Sequence, residues 1–163
     1  MNPAALPFRV PPSFTKHEPG KPPEITFAPS FGMDSPLIAI IDDEASVVRL
    51  NHSLLRRGGY QRFLFGTNGQ DAVTLAKEGQ PDLILMDILM PGMNGIEALR
   101  ALKKSPQTAH IPVIILSAYT HAPEKDDLVN LGAFAVLKKP YSFSALLDLI
   151  RRALVAHEMA RAS

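Results

Sequence analysis

Residues 37–43 read Leu-Ile-Ala-Ile-Ile-Asp-Asp, and this run best shows which kind of sheet the chain forms. Five apolar residues in a row, rather than an alternation of apolar and polar ones, are typical of a strand buried on both faces of a parallel sheet. Apolar residues then recur at helical spacing from Val47 to Leu55, and Gly58 and Gly59 supply a stop signal. The sequence therefore predicts a buried strand and a helix, with two carboxylates where the strand ends.

The alternation of a short apolar run with an amphipathic helical period continues along the rest of the chain. Further strands are predicted at residues 60–65, 83–86, 113–116 and 134–137, and further helices around residues 72–76, 96–102, 124–131 and 143–154. Strict alternation of strands and helices with right-handed crossovers predicts a doubly wound α/β sandwich. Five parallel strands would form one sheet with helices on both faces.

Composition excludes several classes of protein. The chain has 163 residues, 46% of them hydrophobic and 20% charged, which is enough apolar material for one buried core. Because no cysteine is present, disulfides, thiolate nucleophiles and cysteine-ligated zinc are excluded. A net charge of +1 gives no reason to expect direct nucleic-acid binding, and no apolar run approaches the roughly 18 residues of a membrane span. We expect a cytoplasmic protein without membrane insertion.

Proline marks a boundary near residue 36. Nine of the fifteen prolines lie in the first 36 residues, so this part should form neither a helix nor a central strand. We predict an extended or disordered extension over residues 1–35, a folded domain over 36–157 and a tail over 158–163. Four phenylalanines make the extension unlike an inert spacer, and it either stays extended or binds its own domain or a partner. They are Phe8, Phe14, Phe27 and Phe31.

Polar side chains follow four of the five predicted strands. Asp42 and Asp43 follow the first, Asp87 the third, Ser117 the fourth and Lys139 the fifth. In doubly wound sheets the carboxyl ends of the strands meet at one edge, where ligands bind. Three carboxylates placed together repel one another unless a cation lies among them, and Mg²⁺ suits oxygen ligands shared with a phosphate. The sequence therefore predicts phosphoryl chemistry at this edge, assisted by the lysine ammonium.

These residues, taken in order, resemble a known family. The matching pieces are Asp42-Asp43, residues 83–95 (LILMDILMPGMNG), Ser117-Ala118, Gly132-Ala133 and Lys139-Pro140. Together they are similar to the receiver domain of two-component response regulators, the CheY-like domains with a flavodoxin-like fold. The resemblance covers about residues 36–157. It implies a phosphoprotein in phosphorelay signal transduction that forms an aspartyl phosphate, catalysing its own phosphorylation and slow dephosphorylation without being a conventional enzyme.

The resemblance also implies a role for each residue of the site. Asp87 would accept the phosphoryl group. Mg²⁺, or Mn²⁺ in its place, would be bound by Asp43, Asp87 and the backbone carbonyl of Leu89. Asp42 would act mainly through metal-bound water.

The other two strand-end groups are expected to contact the phosphoryl group. Ser117 would move toward a phosphoryl oxygen, and Lys139 would pair with the group through its ammonium. The Lys139-Pro140 bond is expected in the cis form. Lys138 is the competing candidate, and Lys139 is preferred because the family places its lysine immediately before the proline.

Two departures from the family concern switching and phosphoryl lifetime. Where most receivers have an aromatic residue three positions before the lysine, this chain has Val136, with Phe134 two positions earlier. A switch at the surface of the fourth helix, fifth strand and fifth helix, which includes Pro140, would then depend on loop repositioning. Leu89 and Tyr119 stand where receivers admit the hydrolytic water, and their bulk predicts slow dephosphorylation.

The expected partners are proteins. A sensor histidine kinase or a histidine phosphotransferase would supply the phosphoryl group and recognise the region of Val47 to Leu55, and a downstream target would bind the phosphorylated form. The domain is expected to stand alone, as a monomer or a phosphorylation-dependent dimer. The alternative is a phosphorylation-independent receiver-like binding module. Two other protein classes fit the sequence poorly. A dehalogenase-type phosphatase needs a second aspartate two residues after the first, and this chain has Leu89 there. A nucleotide-binding protein needs a glycine-rich loop after the first strand, and this chain has none there.

The five histidines, at positions 17, 52, 110, 121 and 157, are expected on the surface.

Overall fold

The structure is a computed structural model that describes residues 35–118 and 125–163. Strands and helices alternate along the chain, as the sequence predicts. The strands are β1 (Leu37–Ile41), β2 (Arg62–Gly66), β3 (Leu83–Asp87), β4 (Val113–Ser117) and β5 (Ala135–Lys138). The helices are α1 (Ala45–Arg57), α2 (Gly69–Gly79), α3 (Gly95–Lys104), α4 (Lys125–Asn130) and α5 (Phe143–Arg161).

The five strands form one parallel sheet in the order β2-β1-β3-β4-β5. The order turns back on itself at β1, so the loops after β1 and β3 leave a crevice at the carboxyl edge of the sheet. This arrangement confirms the predicted doubly wound α/β sandwich.

Two apolar clusters cover the two faces of the sheet. Alternate residues of each strand point to opposite faces, so Ile38 and Ile40 join α1 and α5 in one cluster, whereas Ala39 and Ile41 join α2, α3 and α4 in the other. All four are about 1% exposed or less. Both faces of β1 are therefore buried, which explains why its sequence is apolar throughout.

The second strand begins later than predicted. The sequence suggests a strand from Tyr60, but β2 starts at Arg62. The N–H group of Tyr60 instead donates to the carbonyl of Leu55, at 3.1 Å, and so closes the end of α1. Gly59, with φ +97°, adopts the left-handed conformation that this turn requires. Tyr60 is 1% exposed and packs in the cluster beneath α1 and α5.

The last helix continues beyond the predicted boundary at residue 157, and the predicted tail is helical as far as Arg161. The prediction that His157 lies on the surface is wrong, because only 5% of this residue is exposed. Its Nε2 lies 3.5 Å from Oδ1 of Asp82, and the guanidinium of Arg161 lies 3.4 Å from the same oxygen. These contacts fix the end of α5 beside the start of β3. The same three residues line a cavity of about 290 Å³ that Ser35 also borders.

Several predictions fall on residues outside the described ranges. These include the extension over residues 1–34, Tyr119, His17 and His121. Within the ranges that are described, His52 is partly buried and His110 is exposed. No helix in these ranges is long and apolar enough to cross a bilayer.

Candidate functional site

The sheet brings the predicted strand-end residues to one edge. Ile41 is in register with Met86, so the residues that follow them, Asp42 and Asp87, leave neighbouring strands side by side. Ser117 is in register with Lys138, and the N–H group of Lys139 donates to the carbonyl of Ser117 at 2.7 Å. Topology therefore places groups from β1, β3, β4 and β5 around one crevice.

Three carboxylates form the floor of this crevice. Asp42, Asp43 and Asp87 each offer one oxygen, and these oxygens all lie within 4.8 Å of one another. Asp42 is buried with 4% of its side chain exposed, Asp87 has 14% exposed, and Asp43 faces solvent. Opposite ligands of an octahedral Mg²⁺ lie about 4.2 Å apart, and the ion prefers oxygen donors with several waters. The donor set fits a magnesium site that is open on the Asp43 side.

The ammonium of Lys139 lies over the carboxylates. Its Nζ is 3.5 Å from Oδ2 of Asp42 and 3.7 Å from Oδ2 of Asp87, and 20% of its side chain is exposed. The peptide bond between Lys139 and Pro140 is cis, as the family resemblance implies. The competing residue, Lys138, is exposed at the end of β5. Of the two lysines, Lys139 is the one that contacts the carboxylate cluster.

Backbone donors fix the orientation of the two buried carboxylates. The N–H of Glu44 donates to Oδ1 of Asp42 at 2.9 Å, and the N–H of Ile88 donates to Oδ1 of Asp87 at 2.8 Å. In both residues the other oxygen, Oδ2, is the one near Lys139. Both carboxylates are therefore held in a fixed orientation.

Burial raises the pKa of Asp87, and the neighbouring charges of Asp42 and Asp43 raise it further. The ammonium of Lys139 and the hydrogen bond from Ile88 act in the opposite direction but do not cancel the effect of burial. A carboxyl whose pKa is higher in the folded state destabilises that state when it is ionised. The ionised Asp87 therefore lowers the free energy of unfolding at neutral pH, and this loss disappears as the pH falls through the raised pKa.

We therefore expect Asp87→Asn to stabilise the metal-free protein at pH 7. Asparagine keeps the oxygen that accepts the Ile88 hydrogen bond but removes one charge from the cluster. We expect Tm to rise by roughly 3 °C, which corresponds to about 1 kcal/mol of unfolding free energy in a domain of this size. Thermal unfolding in the presence of a chelator measures it, with Asp148→Asn, at the exposed salt bridge to Arg152, as the control. An unchanged or lower Tm for Asp87→Asn alone would contradict the charge-repulsion argument.

A close backbone approach shapes the loop after Asp87. The N–H of Gly95, the first residue of α3, donates to the carbonyl of Ile88 at 2.8 Å. A Cβ atom at position 95 would lie 2.1 Å from the carbonyl oxygen of Asp87. Asn94 and Glu97 close the start of α3 with a reciprocal capping box. Glycine is therefore required where α3 begins directly against the end of β3.

The described residues predicted for the switch and for water access lie in different parts of the fold. Val136 is partly buried and packs against the cluster beneath α2, α3 and α4, whereas Phe134 precedes β5 and is 37% exposed. Leu89 is 55% exposed in the loop after β3, and Pro140 is exposed. The side chain at position 136 thus packs toward the core rather than toward solvent.

One polar contact beside the site was missed by the sequence analysis. The hydroxyl of Tyr141 donates to Oδ1 of Asn51, at 3.1 Å, and so connects the segment after Lys139 to α1. Asn51 is 2% exposed, and burial raises the pKa of Tyr141. The only signal in the sequence was an asparagine on the otherwise apolar face of α1.

Residues 38–151 match the family described as the response regulator receiver domain. The chain belongs to this family. The expected family and its flavodoxin-like fold are thereby confirmed. Receiver domains act in two-component signalling, where they are phosphorylated on aspartate and bind Mg²⁺ at an acidic pocket, and this receiver has its cluster of three aspartates at the corresponding edge of the sheet.

Relatives of this receiver include proteins composed almost entirely of the same domain. It is 38% identical over 117 residues to Protein PilH of Pseudomonas aeruginosa, covering 72% of this chain and 96% of PilH. It is 32% identical over 114 residues to the polar-differentiation response regulator DivK of Brucella anthropi, covering 70% of this chain and 92% of DivK. The structure of the chemotaxis response regulator CheY4 of Vibrio cholerae superposes with a TM-score of 0.66 at 28% identity, covering 74% of this chain and all of CheY4.

Proposed function

We propose that Asp87 accepts a phosphoryl group from the phosphohistidine of a sensor histidine kinase or a histidine phosphotransferase. The single observation that carries this proposal is the position of Asp87, whose Oδ2 lies 3.7 Å from the Lys139 ammonium within the cluster of three carboxylates. In the transfer, the bond between phosphorus and the histidine nitrogen breaks, and its electron pair stays with the imidazole. A bond then joins phosphorus to a carboxylate oxygen of Asp87.

We propose that four groups hold Mg²⁺ or Mn²⁺, namely Asp42, Asp43, Asp87 and the backbone carbonyl of Leu89. When bound, the ion offsets the charge of the carboxylates and of the phosphoryl oxygens. Asp43 is the exposed member of the cluster, and Asp42 is fixed by the N–H of Glu44. The chain's own contribution is to keep these oxygens together in spite of their repulsion.

Lys139 and Ser117 are the proposed contacts to the phosphoryl group. The ammonium of Lys139 already lies within 4 Å of two carboxylates, so it can pair with a phosphoryl oxygen without leaving the crevice. Ser117 is 5% exposed at the end of β4, and its carbonyl holds the N–H of Lys139. Movement of Ser117 toward the phosphoryl group would therefore also move the segment that carries Lys139.

This connection supports a switch by loop repositioning at the surface formed by α4, β5 and α5. Val136 packs inward, and the nearby aromatic residue, Phe134, lies outside β5. We expect phosphorylation to shift backbone amide resonances between residues 125 and 150 in NMR spectra, with those of α2 as the internal reference. Unshifted resonances over 125–150 in the phosphorylated protein would contradict this switch.

The outcome of the switch is a change in binding to protein partners, as a monomer or as a dimer formed on phosphorylation. The phosphodonor would contact the region of α1 from Val47 to Leu55, next to the crevice. Transfer from an ATP-dependent histidine kinase requires a shared compartment, and we propose that this is the cytoplasm.

Intact-mass spectrometry after incubation with acetyl phosphate and Mg²⁺ tests the phosphoacceptor. A labile gain of about 80 Da is expected for the wild-type chain and not for Asp87→Asn or for a sample with chelator. Asp71→Asn, which removes a carboxylate at the start of α2, should take up the group normally. No gain in a folded, Mg²⁺-binding protein would instead favour the phosphorylation-independent binding module.

Leu89→Asn is expected to shorten the lifetime of the aspartyl phosphate several-fold. The leucine side chain stands two residues beyond Asp87, where it crowds the approach of water and offers no group to orient it. An amide would orient the water by hydrogen bonding. Decay of the phosphorylated mass over time measures the lifetime, and Leu50→Asn replaces a similarly exposed leucine on α1 as the control. Equal lifetimes for Leu89→Asn and wild type would refute this account.

A further inference from the structure

Strand β2 is the outermost strand on one side of the sheet and, within the described ranges, pairs with β1 alone. The carbonyl of Gly66 accepts the N–H of Asp42 at 3.1 Å, so the backbone groups of Gly66 point toward β1. Backbone groups of successive residues point to opposite sides of a strand. Those of Phe63 and Phe65 therefore point outward, where a further strand can bind them.

The same two residues present aromatic surface beside this edge. The rings of Phe63 and Phe65 stack with centroids 6.3 Å apart, and the ring of His52 on α1 meets them edge-on at 4.8 and 5.2 Å. Phe65 is 48% exposed. We call His52, Phe63 and Phe65 the edge aromatic patch. An open strand edge beside exposed aromatic rings is a surface on which another strand can pair.

The extension contains a segment whose chemistry suits this edge. Residues 24–28 read Glu-Ile-Thr-Phe-Ala, and they are free of proline although Pro23 and Pro29 flank them. Their five residues equal the length of β2. Ile25 and Phe27 alternate with Glu24 and Thr26, so one face of an extended segment would be apolar. Flanking prolines exclude a central strand but permit an edge strand.

We propose that residues 24–28 bind along the outer edge of β2 as an antiparallel sixth strand, with Ile25 and Phe27 covering the edge aromatic patch. In the register that matches the outward backbone groups, Phe27 lies opposite Phe63 and Ile25 lies opposite Phe65. Aromatic and β-branched pairs across strands are favourable, and antiparallel edge strands are common on otherwise parallel sheets.

The point at which the extension enters the fold permits this path. Ser35 lies beside the start of β2, because the guanidinium of Arg62 donates to its carbonyl at 3.2 Å. Two strand spacings, about 10 Å, separate the outer side of β2 from β1, and six linking residues reach roughly 20 Å. A segment that runs along β2 and then enters β1 at its amino end runs antiparallel to both.

Amide hydrogen exchange of the full chain, followed by NMR, tests the proposal with Phe27→Asp. A charge at position 27 would lie against Phe63 and displace the segment. We expect the amides of Phe63 and Phe65 to exchange about tenfold faster in this variant than in the wild type. The amide of Leu64, which faces β1, is the internal reference and should be unchanged. Phe14→Asp is the matched control, because it places the same charge elsewhere in the extension.

Three results would overturn the proposal. The amides of Phe63 and Phe65 could exchange as fast in the wild type as in Phe27→Asp, or both variants could accelerate exchange equally. Protection of the two amides could instead be lost on dilution, which would assign the β2 edge to a second copy of the chain. Light scattering on the same samples identifies that case.

Discussion

Lys139→Ala is expected to slow phosphorylation of Asp87 by acetyl phosphate by about 100-fold, the usual effect of removing one fixed group that stabilises charge in the transition state. The ammonium lies 3.5 and 3.7 Å from carboxylate oxygens of Asp42 and Asp87, in a crevice where both carboxylates are largely buried. It is therefore already placed beside the carboxylate that we propose as the phosphoacceptor. The rate of mass gain at saturating Mg²⁺ measures the effect.

Lys138→Ala provides the matched control for this experiment. The two lysines are adjacent and carry the same charge, but Lys138 is exposed at the end of β5. Its removal should change the rate less than about threefold, the range in which an exposed charge acts through solvent. Similar losses in both variants would show that general positive charge, rather than the contact of Lys139 with the cluster, promotes the transfer.

Gly95→Ala is expected to destabilise the fold by about 3 kcal/mol, because a methyl group would overlap the backbone of β3. The added Cβ would lie 2.1 Å from the carbonyl oxygen of Asp87 and 2.9 Å from the Cα of Ile88. Neither atom is part of a flexible side chain. The start of α3 would have to move away from the site, and Tm should fall by roughly 10 °C.

Gly92→Ala separates this overlap from ordinary backbone strain. Gly92 lies in the same loop with φ +71°, and a Cβ built there meets no atom within 4 Å apart from those of its two chain neighbours. Its replacement should cost only about 1 kcal/mol, the strain of a left-handed alanine. If thermal unfolding gave equal losses for the two variants, close contact with Asp87 would not be what requires Gly95.

The fold was predictable because its signals are local. Each predicted strand is short and precedes a helical period, four of the five end at a polar residue, and the doubly wound arrangement follows from this alternation. The site was predictable for a related reason, since topology places every strand end at one edge. Asp42 and Asp87 are 45 positions apart in the sequence, yet the register of β1 and β3 makes them neighbours.

Two features were missed because a residue distant in the sequence decides them. His157 shows no ligand spacing in the sequence, but Asp82 and the carbonyl of His110 meet it when α5 packs on the sheet. The error at Tyr60 is local instead, because its N–H group bonds to the carbonyl of Leu55 and closes α1 before β2 begins. The contact between Tyr141 and Asn51 spans 90 positions, and neither residue alone indicates the other.

The cavity between Ser35 and Arg161 has a consequence for engineering. Both residues border the same cavity of about 290 Å³, so the described chain enters and leaves the domain at one place, at the sheet edge opposite the carboxylates. Domains whose ends meet tolerate circular permutation and insertion into loops of other proteins. We expect that this domain can be inserted into a host loop as a single unit, with its cluster of three carboxylates facing away from the junction.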